Sequence, residues 1–468
     1  MNRHFSPLVK TAWAFIILLT ACVAYLQTLS DDFDEVPDGA SEVTQGDPAG
    51  LLMARIQAEI ALGVVAEGDD DGQLAIITNA INVGTVAQRQ SYIAFMIAVG
   101  DTTAAKRASL EYLDGLAKEG RVLSSQQAEV QEQLEILMDG GTLPQGHASL
   151  EESLGWFGKL VEATPSEKKV MEQKAAGKLK SVGIASGVLI ALLILGSIGV
   201  IIAMAFAFSG KMQNGMQAPD ASHGLYAEVF ALWLFGFVML ITVAGIVAQV
   251  VFPGDLFTAI LCSICAFFVS LLVLFWARIR GISFMQIRKD IGWTEGDGIA
   301  KEVMYGIAGY VMTLPFLGIG VLLTLFLLFI QQTLDGGTDS FSGTGGGSHP
   351  IILQIAEGGV QIRIAIFILA AIAAPIVEET FFRGVLYRQL RSWSEEWGRV
   401  LSTLLSVLIV SFIFAAIHPQ GWVAIPALMG IAVGMNLMRE WRGTIIPSML
   451  VHGMSNGIVT SILFLVLS

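Results

Sequence analysis

Charge is scarce in this chain of 468 residues. Asp, Glu, Lys and Arg make up 14% of it, against about a quarter in an average soluble domain. With 54% hydrophobic residues and a mean hydropathy of +0.66, an ordinary soluble enzyme is excluded. Cysteine is nearly missing. Of the three present, Cys262 and Cys265 sit inside an apolar run, where they read as packing and not as a redox or metal pair, so no disulfide framework follows. Histidine is sparse as well, with six in all, and the place of each is therefore informative. No HExxH helix occurs, which excludes a zincin.

The apolar residues come instead in long blocks. Val182–Phe208, Val229–Phe252 and Leu256–Ala277 carry no charge, and each exceeds the roughly 20 residues that span a bilayer. Met304–Ile330, Ile364–Val377, Val400–Ile417, Trp422–Met438 and Thr444–Leu467 continue the pattern. The first apolar run, Thr11–Leu26, follows Arg3 and Lys10 and reads as a signal anchor or uncleaved first span. Leu19-Thr20-Ala21-Cys22 also matches a lipoprotein processing box, which N-terminal sequencing would test. The expected fold is all-α: a polytopic transmembrane helical bundle of about eight core spans plus the anchor, with a small soluble helical domain. The expected divisions are 1–30 (anchor), 31–180 (soluble helical domain with linkers), 181–290 (additional spans) and 291–468 (a catalytic membrane domain).

Residues 31–167 hold 24 acidic against 7 basic residues, a net of −17 in a chain of −13. Such an acidic segment argues against nucleic acid as a partner. It opens on a linker with Pro37, Gly39 and Pro48, and then turns helical. Leu110, Leu113 and Ala117 are expected on one buried face, as are Val130, Leu134 and Leu137, and Leu154, Phe157 and Val161. Asp69-Asp70-Asp71-Gly72 punctuates the segment. It carries no metal spacing, nucleophile motif or phosphate loop, and its role stays open, with a protein partner as one candidate use. The glycine-rich Asp335–Ser348 is expected to be a flexible loop between the fifth and sixth spans.

Short-loop basic residues set the expected orientation. Arg3 and Lys10, Arg278 to Lys289, Arg388 to Arg399, and Arg439 and Arg442 all fall inside, which puts 31–180 outside an inner or plasma membrane. The lysine cluster Lys168 to Lys180 disagrees, at the end of a long domain where the rule is weaker. Trp393, Trp397, Trp422 and Trp441, near span ends, read as interfacial anchors.

Ionisable groups within a bilayer are costly and mark function by default. After Ile364 they cluster in three sets: Glu378-Glu379-Thr380-Phe381-Phe382-Arg383, Phe414-Ala415-Ala416-Ile417-His418, and His452-Gly453-Met454-Ser455-Asn456. Glu379 and Arg383, four apart, share a helix face and can pair, which leaves Glu378 without that partner. His452 and Asn456 share a face in the same way. A carboxylate in such surroundings suits a general base, and imidazole or amide donors suit an oxyanion. Two histidines and a glutamate equally suit a zinc site with an open position, with His418, His452 and Glu378 as ligands. Counted along the spans, Glu378 falls near mid-membrane and His418 at the end of its span. Convergence therefore requires a tilt, a break near Glu378 or a re-entrant turn at Pro419–Gly421.

EExxxR, FxxxH and HxxxN, in that order on successive spans, resemble the three motifs of the CPBP family, which includes type II CAAX prenyl proteases and Abi proteins. The resemblance covers roughly Ile291 to Ser468, and Asp290-Ile291-Gly292-Trp293 and His349-Pro350 also have the family's flavour. It implies an intramembrane endopeptidase, putting a peptide or protein substrate beside membrane lipid as a partner. Glu378 would then activate water and His418 would hold it. His452 and Asn456 would stabilise the oxyanion or contribute to a Zn2+ site, Glu379 and Arg383 would orient the helix, and Phe414 would pack around the cavity. Two other readings stay open: a non-proteolytic membrane adaptor or immunity-type protein of the same fold, and a proton-relaying transporter. The lack of an evident inverted repeat counts against the transporter.

Overall fold

The structure is a computed structural model that describes residues 7–32, 48–68, 81–82, 84–118, 120–144, 146–211, 215–216, 224–334 and 358–466. The linker around Pro37 and Gly39, Asp69-Asp70-Asp71-Gly72, the Asp335–Ser348 loop and His349-Pro350 lie outside these residues. Among the described residues there is no strand, and nine helices are long and apolar enough to cross a membrane. In chain order these spans are Pro7–Leu26, Pro165–Phe208, Leu225–Val251, Leu256–Ile279, Ile299–Ile330, Val360–Trp397, Arg399–Ala416, Trp422–Arg442 and Ile446–Leu465. The protein is an all-α, multi-pass membrane bundle.

The chain divides into two compact units, one comprising Met1–Leu29, Ile190–Leu328 and His349–Ser468, the other Ser30–Leu189 and Phe329–Ser348. In the second unit the helices start where short polar side chains can cap them. Thr85 with Gln88, and Ser124 with Gln127, form capping boxes ahead of Val86–Val99 and Ser125–Met138. Val130, Leu134, Leu154 and Phe157 are buried as their spacing suggests, although Gly155 breaks the last pair into two short helices. The helix Thr102–Lys118 is rotated from expectation. Leu110 is 70% exposed, and the inward face is Ala104, Ala105, Ala108, Tyr112 and Leu116. Small alanines let this helix approach its neighbours closely, and the polar inward groups are satisfied. Gln131 donates to Ser109 Oγ at 2.8 Å and accepts from the Tyr112 hydroxyl.

The membrane unit has an aromatic centre. Trp233 of the third span stacks on Phe381 of the sixth at 4.5 Å between ring centroids, and Phe230 meets Phe382 edge-on at 5.4 Å. The first span belongs to this core: Val9, Ala12 and Ile16 are buried, and Phe15 packs on Phe235. Cys22, Cys262 and Cys265 are unpaired thiols.

The sixth span is not a straight α-helix. Wide π turns occupy Leu369–Ala373 and Thr380–Leu386, on either side of the α-turn Ala374–Glu379. Such turns loosen the backbone ladder and recur at functional sites. At Gly398, with φ 83° and ψ 153°, the chain reverses into the seventh span, a conformation costly for any residue with a Cβ. The seventh helix ends at Ala416, two residues before the His418–Pro419 bond, where a following proline disfavours the α conformation.

Candidate active site

The hairpin at Gly398 brings the first two motifs together. Glu378 and His418 each lie twenty residues from that glycine, one on each arm of the hairpin. Of the three ways the sequence left open for convergence, the structure has no interruption of the sixth span at Glu378 but wide π turns on either side of it, and a turn at and after His418. Oε2 of Glu378 stands 3.7 Å from Nε2 of His418 and 3.9 Å from Nε2 of His452. The three side chains are 13%, 18% and 5% exposed, so the group is largely enclosed. Glu378 Oε2 is buried and has no hydrogen-bond donor among the described residues.

Both imidazoles are held from behind. His418 donates from Nδ1 to the Phe414 carbonyl, one helical turn earlier. His452 Nδ1 lies 2.9 Å from Oε1 of Glu379 and, facing a carboxylate, is the protonated nitrogen. With Nδ1 carrying the proton on each ring, both Nε2 atoms face Glu378. The same Glu379 oxygen accepts from Arg383 Nη1 at 2.8 Å, in a pair with no solvent exposure. Arg383 Nη2 donates to the Ala432 carbonyl at 3.4 Å, and its guanidinium carbon lies 4.6 Å from the Phe414 ring centre. Phe414 itself is 4.2 Å from the His418 ring and 5.7 Å from that of His452. It is the apolar wall against which the arginine and both histidines rest.

Asn456 is engaged elsewhere: its amide donates 2.8 Å to the carbonyl of Ala370, within the first π turn. Close passage of the ninth span here depends on Gly453. A Cβ at that position would stand 2.8 Å from the Ala371 carbonyl oxygen. Asn456 and Gly453 thus tie the His452 helix to the loosened segment that precedes Glu378.

A second polar layer holds the motif helix farther along, built on arginines that by sequence position look like loop charges. Arg391 grips Glu440 with two bonds of 2.9 and 3.0 Å, and Tyr387 donates to Glu440 at 3.0 Å. Arg388 pairs with Asp290 at 2.7 Å, and Tyr226 donates to the same carboxylate at 2.7 Å. Arg439 donates to the carbonyls of Arg383 at 3.2 Å and Asp290 at 3.0 Å. Trp293 donates its indole N–H 3.0 Å to Thr380 Oγ1, beside Glu379. One sequence signal could have found part of this layer: Glu379, Arg383, Tyr387 and Arg391 recur every four residues. That spacing drifts around a regular α-helix, and the wide turn Thr380–Leu386 keeps it on one face.

The donor types Glu378, His418 and His452 suit zinc, and nitrogens anchored at Nδ1 are typical of metal-binding histidines. The spacing does not close a site: 3.7 and 3.9 Å exceed the roughly 3.3 Å edge expected for zinc ligands at tetrahedral bond lengths. Among the described residues no group of three or more His, Cys, Asp or Glu side chains has metal-binding geometry.

The family comparison converges on the same segment. Residues 360–458, about a fifth of the chain, match the family model described as Rce1-like, type II CAAX prenyl endopeptidase. The matched region holds all three motifs, so the similarity to type II CAAX prenyl endopeptidases rests on this segment of the membrane bundle. Neither the curated proteins nor the solved structures gave a match.

Proposed function

We propose that this protein is an intramembrane endopeptidase in which Glu378 activates water against a peptide bond. The observation that carries this reading is the convergence of two Nε2 atoms on the unpartnered, buried oxygen of Glu378. A water seated between Glu378 Oε2 and His418 Nε2 loses a proton to the carboxylate as its oxygen attacks the scissile carbonyl. The new C–O bond makes a tetrahedral oxyanion. His452, when doubly protonated, donates to it from Nε2 while Nδ1 stays bound to Glu379. Glu378 then returns the proton to the departing amine, and the C–N bond breaks. Glu379 and Arg383 act as positioning residues through His452 and the sixth span, Phe414 as the wall of the site. Asn456 secures the ninth span to Ala370, and its sequence-based oxyanion role requires that this bond be exchanged.

We derive no step through a metal. The zinc alternative, with Glu378, His418 and His452 as ligands, needs these donors to draw closer and carries its own test below. The substrate is a peptide or protein segment reaching the site from the lipid or its interface. A prenylated C-terminus is the substrate class named by the family model.

The experiment is cleavage of prenylated and unprenylated peptides by the purified protein in liposomes made with 18O-labelled water. Products are identified by mass spectrometry. One 18O atom in the new carboxylate is the expected result, and absence of any product from either peptide set would overturn the reading. A chelator arm with metal analysis of the purified protein separates the two ways of activating water.

A further inference from the structure

The segment between the fourth and fifth spans has a composition that the catalytic reading leaves unused. Its helix Phe284–Ile291 is capped by Ser283, whose hydroxyl accepts from Gln286 N, and is closed by Gly292. The inward face is Ile287, Asp290 and Ile291, all buried. Its outward side carries apolar Phe284 and Met285 with basic Arg288 and Lys289, and the end of the fourth span adds Arg278 and Ile279, all exposed. Among the described residues Arg280 pairs with Glu228 at 3.3 Å, whereas Arg278, Arg288 and Lys289 meet no carboxylate. Arg288 Nε donates 2.8 Å to the Trp293 carbonyl, and Arg278 lies over the Phe284 ring at 6.0 Å. Exposed cations without a carboxylate partner, beside exposed apolar side chains in the connection between two consecutive spans, have the chemistry of a bilayer surface with anionic headgroups.

The inward face reaches the active site. The Asp290 carboxylate receives Arg388, Tyr226 and Gln286. The Gly292 carbonyl receives Ile445 N at 3.0 Å and Thr444 at 3.1 Å, where the ninth span begins. Trp293 donates to Thr380, whose hydroxyl in turn donates 2.7 Å to the Ile376 carbonyl. The Thr380 amide bonds back to the Val377 carbonyl, so Thr380 makes both of its donor contacts within the turn that carries Glu378.

We propose that Arg278–Trp293 is an anionic-lipid-binding element, and that headgroup contact on Arg278, Arg288 and Lys289 steadies the Glu378 turn through the Trp293–Thr380 bond. This goes beyond peptidase chemistry, and its readout is backbone exchange, not turnover, so it stands or falls apart from that reading.

The test is hydrogen exchange by mass spectrometry on the full chain in nanodiscs of phosphatidylcholine, with or without phosphatidylglycerol. Anionic lipid should slow exchange over 376–386 and 284–291 by about fivefold, the effect of roughly one basic residue at a charged surface. Raised ionic strength should erase that difference, and inorganic phosphate should not reproduce it. Arg288→Gln with Lys289→Gln should lose the response in both segments, and Trp293→Phe should keep it over 284–291 while losing it over 376–386. Equal exchange of the wild type in the two lipids would overturn the proposal. So would a full response in the double variant, transmission to 376–386 in Trp293→Phe, or slowing by phosphate alone.

Discussion

His452 Nδ1 and Glu379 Oε1 are 2.9 Å apart, and that oxygen also holds Arg383 at 2.8 Å. The second glutamate of the motif is therefore committed to a histidine and an arginine, which leaves the first as the carboxylate that faces the two Nε2 atoms. The division of labour follows from helix geometry. Adjacent residues differ by about 100° around the axis, so only one of the two can share a face with Arg383.

Replacing Glu379 by Gln keeps the shape but offers His452 a neutral partner that no longer selects one tautomer. Loss of a group that orients a functional histidine costs about 10- to 100-fold in comparable sites. The expected outcome is a fall of that size in kcat with little change in KM, measured in liposomes.

The Glu379–Arg383 pair has no solvent exposure, so removing one partner leaves the other charge buried. Glu379→Gln and Arg383→Met should each destabilise the protein by roughly 3–5 kcal/mol, and the double variant by clearly less than their sum. Unfolding in detergent, followed for all three variants, checks this.

Gly453→Ala would press a methyl carbon against the Ala371 carbonyl oxygen, 2.8 Å away, next to His452. A cost of about 1–3 kcal/mol and a displaced His452 are expected. Gly457→Ala, whose added carbon would meet Ala371 Cβ at 3.5 Å, serves as the near-neutral control. Paired thermal melts read the difference.

Arg442 bonds Asp297 at 2.6 Å, and this hydrogen bond, with the arginine's charge, holds the Asp297 carboxyl below its ordinary range. For a carboxyl lowered by folding, the stabilisation is present above its unfolded pKa and is lost as pH falls through the folded value. Asp297→Asn should therefore melt slightly below the wild type at neutral pH, and the gap should close in strong acid. Melting curves across acidic pH check the sign.

Much of this could be read from the sequence because a membrane makes polar residues conspicuous. Glu378, His418 and His452 stand out against apolar runs, and their order along the sixth, seventh and ninth spans carries the family resemblance. What stayed hidden depends on geometry that spacing does not record. The meeting of Glu378 with His418 comes from the Gly398 hairpin and from two π turns whose local sequence is as apolar as any helix. Arg388, Arg391 and Arg439 look like loop charges until Asp290 and Glu440 are brought to them from distant parts of the chain. The helix Thr102–Lys118 turned its alanines inward and Leu110 outward, because close packing and the Tyr112–Gln131 bond outweighed one leucine's burial.

The central assignment is that Glu378 takes the proton from the attacking water. Peptide cleavage by a folded Glu378→Gln protein in liposomes tests it most directly, with the melting curve matched to the wild type. The account predicts a loss of about 10²- to 10⁴-fold. Cleavage at the wild-type rate by that variant would contradict it.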